Sequence, residues 1–174
     1  MLTPAPAPRI VRSAEAFPNM EAERLVDGSS LAYASNGKGT ETFVDFDLGQ
    51  PTQIGGFKHV DRPDPATIDT AQLIFSDYED FSEPIRTVEV DHVNRPGGTT
   101  FARFEPVTAR YVRWQVTAIS AHACSGGTEI TFYATADSEP TPKQTSFSAR
   151  AWPALAREEG RLMLPLSITF CDSE

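Results

Sequence analysis

The chain contains few of the residues that build metal centres and disulfide scaffolds. Its 174 residues include two cysteines, Cys124 and Cys171, with no CxxC spacing, and three scattered histidines. These match no metal-ligand motif, so a zinc-type centre is not expected. One disulfide and two separate thiols both fit this count, because bridging depends on distances that the sequence does not contain.

Basic residues and long apolar runs are also scarce. The 15 basic residues are outnumbered by 24 acidic ones, giving a net charge of −9. Like-charge repulsion argues against nucleic acid and anionic membranes as partners. No run of eighteen apolar residues exists, so no membrane span is expected. Residues 1–8 are rich in Pro and Ala and lack the apolar core of a signal peptide, so no export signal is expected within this chain.

The stretch 41–49 shows the pattern around which the rest of the chain is organised. Apolar side chains alternate along one face, and the opposite face carries Phe43, Asp45 and Asp47. Period-two alternation predicts a half-buried β-strand. The turn-forming residues 49–51, Gly-Gln-Pro, are expected to end it.

Similar patterns recur along the chain and decide the fold class. Further strands are predicted at 9–12, 53–60, 71–76, 85–93, 99–104, 109–117 and 129–134. Segment 99–104 is expected to return as the hairpin partner of 85–93. Trp114 shares a face with Val112 and Val116, which predicts a core position. Because no amphipathic helix separates the strands, the chain is predicted to be all-β, an antiparallel β-sandwich or jelly roll.

The predicted domain boundaries follow changes in composition. Residues 1–19 are predicted to form an extended or disordered arm and a first strand, and 20–136 the β-sandwich. Residues 137–143 have the composition of a linker. Beyond it, 144–174 contains two strand-like segments. These are either a hairpin-like extension that packs on the sandwich or the truncated start of another domain, since a lone hairpin is marginally stable.

Three ordered segments carry a family resemblance. The first is Leu25-Val26-Asp27-Gly28; the others are 44–49 (VDFDLG) and 109–116 (ARYVRWQV) followed by 127–133 (GTEITFY). Together they resemble the discoidin family, also called coagulation factor V/VIII C-type domains. Its galactose-binding-like fold is shared with many bacterial carbohydrate-binding modules. The resemblance spans roughly residues 20–134 and implies a jelly-roll sandwich with a binding role; the fold alone does not define the ligand.

A polar, proline-stiffened segment is the main candidate ligand site. Sugar sites combine a stacking aromatic ring with planar polar side chains that bind hydroxyl pairs. Segment 59–64 concentrates such side chains, and Arg62 follows the strand where related modules present a sugar-binding arginine. A glycan site is therefore predicted from His59, Asp61, Arg62, Asp64, Asn94, Arg95 and His122, with Tyr33 or Tyr78 as the stacking ring.

The same segment also has a purely structural interpretation. Asp61 and Asp64 are alternatively expected to form ion pairs with Arg62 and simply hold the loop closed. Galactose-binding relatives often carry a histidine about where Thr42 stands, so the resemblance does not imply galactose specificity.

The resemblance also implies a structural calcium ion. Calcium binds six to eight oxygens. The family pattern places the carboxylates of Asp27 and Glu129 around the ion, with main-chain oxygens near Leu25, Ser30 and Thr128. The sequence departs from the pattern after residue 28, where Ser-Ser-Leu replaces the usual hard ligands. The alternative is that Asp27 caps a turn and Glu129 pairs with a nearby arginine.

These observations predict a non-catalytic carbohydrate-binding module. It is expected to be appended to an exported polysaccharide-active or cell-surface protein, and hence to be extracellular or periplasmic beside neighbouring domains. The alternative is a structural or protein-interaction sandwich with no sugar ligand. An enzyme is not expected, because Asp45 and Asp47 share a strand face that we predict to be solvated, whereas acid–base catalysis needs a cleft with perturbed pKa values.

Overall fold

The computed structural model describes residues 1–64 and 67–135, which form an all-β body. Two short 3-10 helices, Ala22–Leu25 and Gly39–Glu41, are the only helical segments in this part of the chain. The strands are β1 (Leu2–Pro4), β2 (Arg9–Ser13), β3 (Tyr33–Ala34), β4 (Phe43–Val60), β5 (Ile68–Ser76), β6 (Pro84–Asp91), β7 (Thr99–Ile119), β8 (Gly126–Gly127) and β9 (Glu129–Thr135).

The strands pair in antiparallel fashion. Seven strands form one continuous sheet in the order β1-β9-β4-β7-β5-β6, with β2 beside β4, and β3 pairs with β8 separately. The sandwich has two layers, and the long strands β4 and β7 contribute to both. In one layer, residues 43–47 of β4 pair with 111–115 of β7; in the other, residues 52–60 of β4 pair with 99–109 of β7. The predicted antiparallel β-sandwich is confirmed.

The prediction that residues 49–51 end a strand is wrong, because β4 continues through them. Gly49 has φ +82°, a left-handed conformation that glycine adopts without steric cost. The Asp47 carboxylate accepts a hydrogen bond from the Gly49 N–H at 2.8 Å. The register with β7 shifts between Asp47 and Thr52. These residues therefore bend the strand from one layer into the other.

The predicted hairpin between 85–93 and 99–104 is also wrong. β6 pairs with β5, whereas 99–104 forms the first part of β7 and pairs with β4. Alternation along a strand identifies its buried face but not its neighbour. Here the connection after β6 leads into the other layer, so β6 and the first part of β7 are not partners.

The N-terminal residues belong to the same sandwich. The strand predicted at 9–12 is present as β2 and lies against the first half of β4. The predicted arm at 1–8 contains β1, in which Leu2 lies opposite Thr135 and Pro4 opposite Tyr133. The arm therefore extends the sheet edge beyond β9.

The core fills the space between the layers. Trp114 is fully buried, which confirms its predicted position. Phe46 and Phe132 meet edge to face at 5.2 Å between ring centroids, and Phe57 lies 5.8 Å from Phe132. Burial of each such side chain stabilises the fold by roughly 1.5–3 kcal/mol. Aromatic side chains of β4 and β9 therefore form part of the core between the layers.

Several predictions fall beyond the described residues. These are the linker 137–143, the extension 144–174, and Cys171 with any disulfide that it forms. Within the described ranges, no helix is long and apolar enough to cross a membrane.

Candidate functional site

One end of the sandwich, which we call the apex, is formed by the loops 61–64, 92–98 and 120–125. Backbone hydrogen bonds join the first two loops: the Asp61 N–H donates to the Gly98 carbonyl at 2.8 Å, and the Gly97 N–H donates to the Arg62 carbonyl at 2.7 Å. The predicted glycan-site residues on these loops are therefore brought together at one surface.

Arg62 ties the first loop to the third. Its guanidinium donates to the carbonyl oxygen of Cys124 and forms an ion pair with Asp64. Only 9% of the residue is exposed. This arrangement agrees with the alternative prediction for Asp64, and it leaves little of the guanidinium for a ligand in this conformation.

The Asp61 carboxylate does not pair with the guanidinium of Arg62; it accepts hydrogen bonds from backbone N–H groups instead. The donors are the N–H groups of Arg62 at 2.7 Å and of Ile68 at 3.3 Å. Burial raises the pKa of Asp61 to about 6, although both hydrogen bonds favour the charged form. Asp61 therefore shapes the loop from inside and is not displayed to solvent.

Asn94 lies at the centre of an exposed hydrogen-bond network. Its Oδ1 accepts hydrogen bonds from the hydroxyl groups of Thr67 at 2.9 Å and Ser120 at 3.1 Å. Its Nδ2 donates a hydrogen bond to the Asp69 carboxylate. Sequence reasoning missed Thr67, Asp69 and Ser120. A signal existed, because these polar residues lie at the ends of strands that meet at the apex, but the strand order was needed to see it.

His59 does not fit the predicted role of a ligand-contacting side chain. It is fully buried at the end of β4, where its Nε2 lies 3.1 Å from the Gly126 carbonyl. Its ring stacks on Trp114 at 5.2 Å and meets the edge of His92 at 4.6 Å. A Cβ at Gly127 would lie 2.4 Å from His59 Nε2, so this packing requires glycine there.

The two buried imidazoles are held in the neutral form. Burial holds the pKa of His59 well below its usual value, with a further contribution from His92. Burial also lowers the pKa of His92 to about 4. Four nitrogens in this cluster have no hydrogen-bond partner among the described residues: His59 Nδ1, both ring nitrogens of His92, and Trp114 Nε1.

Neither predicted stacking ring lies at the apical surface. Tyr33 is fully buried, and its hydroxyl donates to the Ala14 carbonyl at 3.3 Å. Tyr78 is exposed, but it follows the opposite end of β5 from the apex. A buried tyrosine cannot stack on a surface-bound sugar, so the Tyr33 prediction does not fit this conformation.

Arg95 and His122 remain exposed at the apex. Arg95 follows Asn94 in a tight turn in which its N–H donates to the Val93 carbonyl at 2.8 Å. His122 lies in the 120–125 loop. Neither side chain has a hydrogen-bond partner within the described residues, so both are accessible to a ligand.

Two of the residues predicted to hold calcium, Leu25 and Glu129, border one cavity, and the carboxylates of Asp27 and Glu129 are already paired. A cavity of about 130 Å³ is lined by Leu25, Gly28 and Glu129 among others. Glu129 forms an ion pair with Lys58 at 2.9 Å, and Asp27 binds the Ser29 N–H at 2.8 Å.

The donor set around this cavity fits calcium poorly. A hydrogen bond from Lys58 lowers the pKa of Glu129, so the ammonium already stabilises the charge that a metal would. The described residues contain no group of three or more His, Cys, Asp or Glu side chains suited to a metal. Ser30 is exposed, and the Thr128 hydroxyl lies 3.4 Å from the Val60 carbonyl. Calcium binding here stays a prediction that this arrangement does not favour.

The carboxylates Asp45 and Asp47 are buried, so the predicted solvated face is wrong. Asp45 is 1% exposed beneath Arg12 and Arg113. A hydrogen bond from Arg110 is the main reason that the pKa of Asp47 lies well below its usual range. A carboxylate whose pKa is lowered in this way, as that of Asp47 is, is unsuited to donating a proton.

Fold and site together define the class: a galactose-binding-like β-sandwich with a polar apical surface. The chain belongs to the F5/8 type C domain family, whose model matches residues 10–130. Among curated proteins, no relative matches the sequence.

Several solved structures that share the fold are described as carbohydrate-binding modules. A chitosan-binding module of a chitosanase/glucanase from Paenibacillus sp. IK-5 is 21% identical with a TM-score of 0.60, covering 75% of this chain and 97% of that one. The family 32 module of C. perfringens NanJ, solved with galactose, is 11% identical with a TM-score of 0.65, covering 76% and 99%. A Streptococcus pneumoniae fucose binding module is 17% identical with a TM-score of 0.60, covering 75% and 94%.

Proposed function

We propose that this chain is a non-catalytic carbohydrate-binding domain whose ligand site is the apex. The observation that carries the proposal is the exposed network around Asn94, where an amide, a carboxylate and a hydroxyl lie together on one surface. Planar polar groups in such an arrangement suit the paired hydroxyls of a sugar.

Two further features support this function. Structural relatives of the family include modules described as binding chitosan, galactose and fucose. The apical loops are also preorganised by backbone hydrogen bonds and by the Arg62 ion pair, which reduces the entropy lost on binding. Attachment to a larger exported protein, and hence an extracellular or periplasmic location, belongs to the same proposal.

A glycan array and a polysaccharide-retention assay on the full chain test the function. We expect the native chain to bind at least one saccharide, and Asn94→Ala to weaken that binding by roughly tenfold or more, because a hydroxyl-binding amide is lost. Tyr78→Ala is the matched control, since this exposed residue lies at the opposite end of β5. A folded native chain that binds no saccharide would overturn the proposal.

A protein-interaction role is the second candidate, and one surface favours it. Phe101, 46% exposed on the solvent side of β7, meets Tyr133 edge to face at 5.1 Å. The guanidinium of Arg103 lies over the Phe101 ring, 5.6 Å from its centroid. Aromatic and arginine side chains are enriched at protein interfaces. Phe101→Ser would impair partner binding under this alternative but would leave glycan retention unchanged.

A further inference from the structure

Two segments at the apex have nearly the same sequence but different exposure. Segment 59–63 is His-Val-Asp-Arg-Pro, and segment 92–96 is His-Val-Asn-Arg-Pro. Their histidines contact each other in the core at 4.6 Å, so both segments leave the sandwich side by side.

The first segment supports the apex from within. Asp61 binds backbone N–H groups, and the Arg62 guanidinium is occupied by Cys124 and Asp64. In the second segment, by contrast, Asn94 and Arg95 are both exposed. The ligand-facing chemistry therefore comes from the second segment.

From this difference we propose that Asp69 and Asn94 together bind a vicinal diol of a neutral saccharide. The inference rests on the proposed carbohydrate-binding function and assigns a ligand contact to Asp69. The His92 N–H donates to the Asp69 carbonyl at 2.8 Å, which holds Asp69 beside the second segment.

The hydrogen-bonding capacity of Asn94 defines what it offers a ligand. Its Oδ1 faces the hydroxyls of Thr67 and Ser120, which also lie 2.8 Å from each other, so the oxygen is engaged within the protein. Its NH₂ group has two hydrogens, of which Asp69 accepts one. The amide orientation is determined by Asp69, because an ionised carboxylate only accepts. Within the part of the chain that the structure describes, one amide hydrogen therefore remains available.

Asp69 supplies the complementary acceptor. Its Oδ1 accepts from Asn94, and its second oxygen has no partner among the described residues. A free N–H donor beside a free carboxylate oxygen matches two adjacent hydroxyls, one accepting and one donating. A ligand carboxylate would be repelled by Asp69, so the site is suited to a neutral sugar.

The test compares Asp69→Asn with Asp91→Asn in the full chain. Asp91 is a matched control, because it is an exposed carboxylate on β6 at the same end of the sandwich. The ligand is a neutral polysaccharide that the native chain retains, used intact and after periodate oxidation followed by borohydride reduction, which destroys vicinal diols. Affinity is measured by calorimetry or affinity electrophoresis, and folding by thermal unfolding.

Asp69→Asn is expected to lose about tenfold or more in affinity, because hydrogen bonds to charged groups are the stronger ones. Asp91→Asn should stay within about twofold, and the oxidised ligand should not bind. If Asp69→Asn fails to fold, Ser120→Ala replaces it; this change at an exposed residue removes a hydroxyl that holds Asn94 Oδ1 at 3.1 Å, so the amide is less well positioned and binding should weaken by a few-fold.

Each contrary result has a distinct meaning. Native-like affinity in folded Asp69→Asn, or full binding to the oxidised ligand, would overturn the diol site while the carbohydrate-binding function stands. If the native chain retains no saccharide at all, the proposed function fails and this inference fails with it.

Discussion

At the scale of single residues, the apex depends on side chains that bind protein as well as solvent. Arg62 and Asp61 have the charges expected of ligand contacts, yet both are used to hold loops together. Asn94 binds three side chains and still presents one donor. Residue type alone therefore does not distinguish a ligand contact from its support.

Lys58 leads to a residue-scale prediction about calcium. Because its ammonium neutralises Glu129, we expect neither calcium nor a chelator to change the unfolding temperature of the native chain. Lys58→Met should lower stability by about 0.5 kcal/mol, the usual size for a partly exposed ion pair. Thermal unfolding with calcium, with magnesium and with chelator measures both effects. A rise in unfolding temperature with calcium alone would instead support the predicted metal site.

At the scale of elements, three neighbouring strands are joined by ion pairs across one face. Asp45 on β4 binds Arg12 of β2 at 2.9 Å and Arg113 of β7 at 2.6 Å. Asp47 binds Arg9 and Arg110 in the same way. Arg113 also lies over the Phe43 ring at 4.8 Å. These contacts attach the N-terminal strand to the centre of the sheet.

Removing one buried carboxylate tests this element-scale role. Asp45→Ala leaves two guanidinium groups without their shared partner. Loss of one member of a buried pair costs roughly 3–5 kcal/mol. Both arginines are partly accessible to solvent, which reduces the expected loss to about 2 kcal/mol. Urea unfolding measures it, with Arg12→Ala as the control, expected to lose less than about 1 kcal/mol because Arg12 is mostly exposed. Equal losses in both variants would contradict a central role for Asp45.

At the scale of the whole molecule, stability depends on keeping several buried groups in one charge state. The sandwich buries two neutral histidines beneath the apex and one carboxylate whose pKa is raised. These groups lie under the loops that carry the candidate site. Acidification therefore acts on the fold and on the apex together.

The expected pH dependence follows from the direction of each pKa shift. The pKa values of His59 and His92 are lowered, so their contribution is present above about pH 6.5 and is lost as pH falls towards 4. The raised pKa of Asp61, about 6, opposes this, because the folded state binds its proton first. The stability lost through the two histidines exceeds the stability gained through the one carboxyl group. The unfolding temperature should therefore fall as the pH is lowered from 7 to 4.5.

Variants separate these contributions. In thermal unfolding at both pH values, His92→Phe should reduce the loss on acidification, whereas Asp61→Asn should increase it. His122→Ala, a change at an exposed apical histidine, should leave the profile unchanged. A native chain equally stable at pH 7 and 4.5 would contradict this account.

Local sequence predicted much of this protein. Alternation at 41–48 placed Val44 and Phe46 in the core, and the phase of Trp114 placed it there too. The ordered family segments predicted the sandwich. These inferences succeed because the alternation of neighbouring residues along a strand identifies its apolar face.

Other features were decided only by tertiary structure. The bend at Gly49, the separation of β6 from β7, and the burial of Asp45, His59 and Tyr33 all depend on which strands become neighbours. The same holds for the meeting of Thr67, Asp69, Asn94 and Ser120, which come from three connections along the chain. Strand pairing sums many weak contacts between distant residues, so two nearly identical segments, 59–63 and 92–96, end with one inside the apex and the other at its surface.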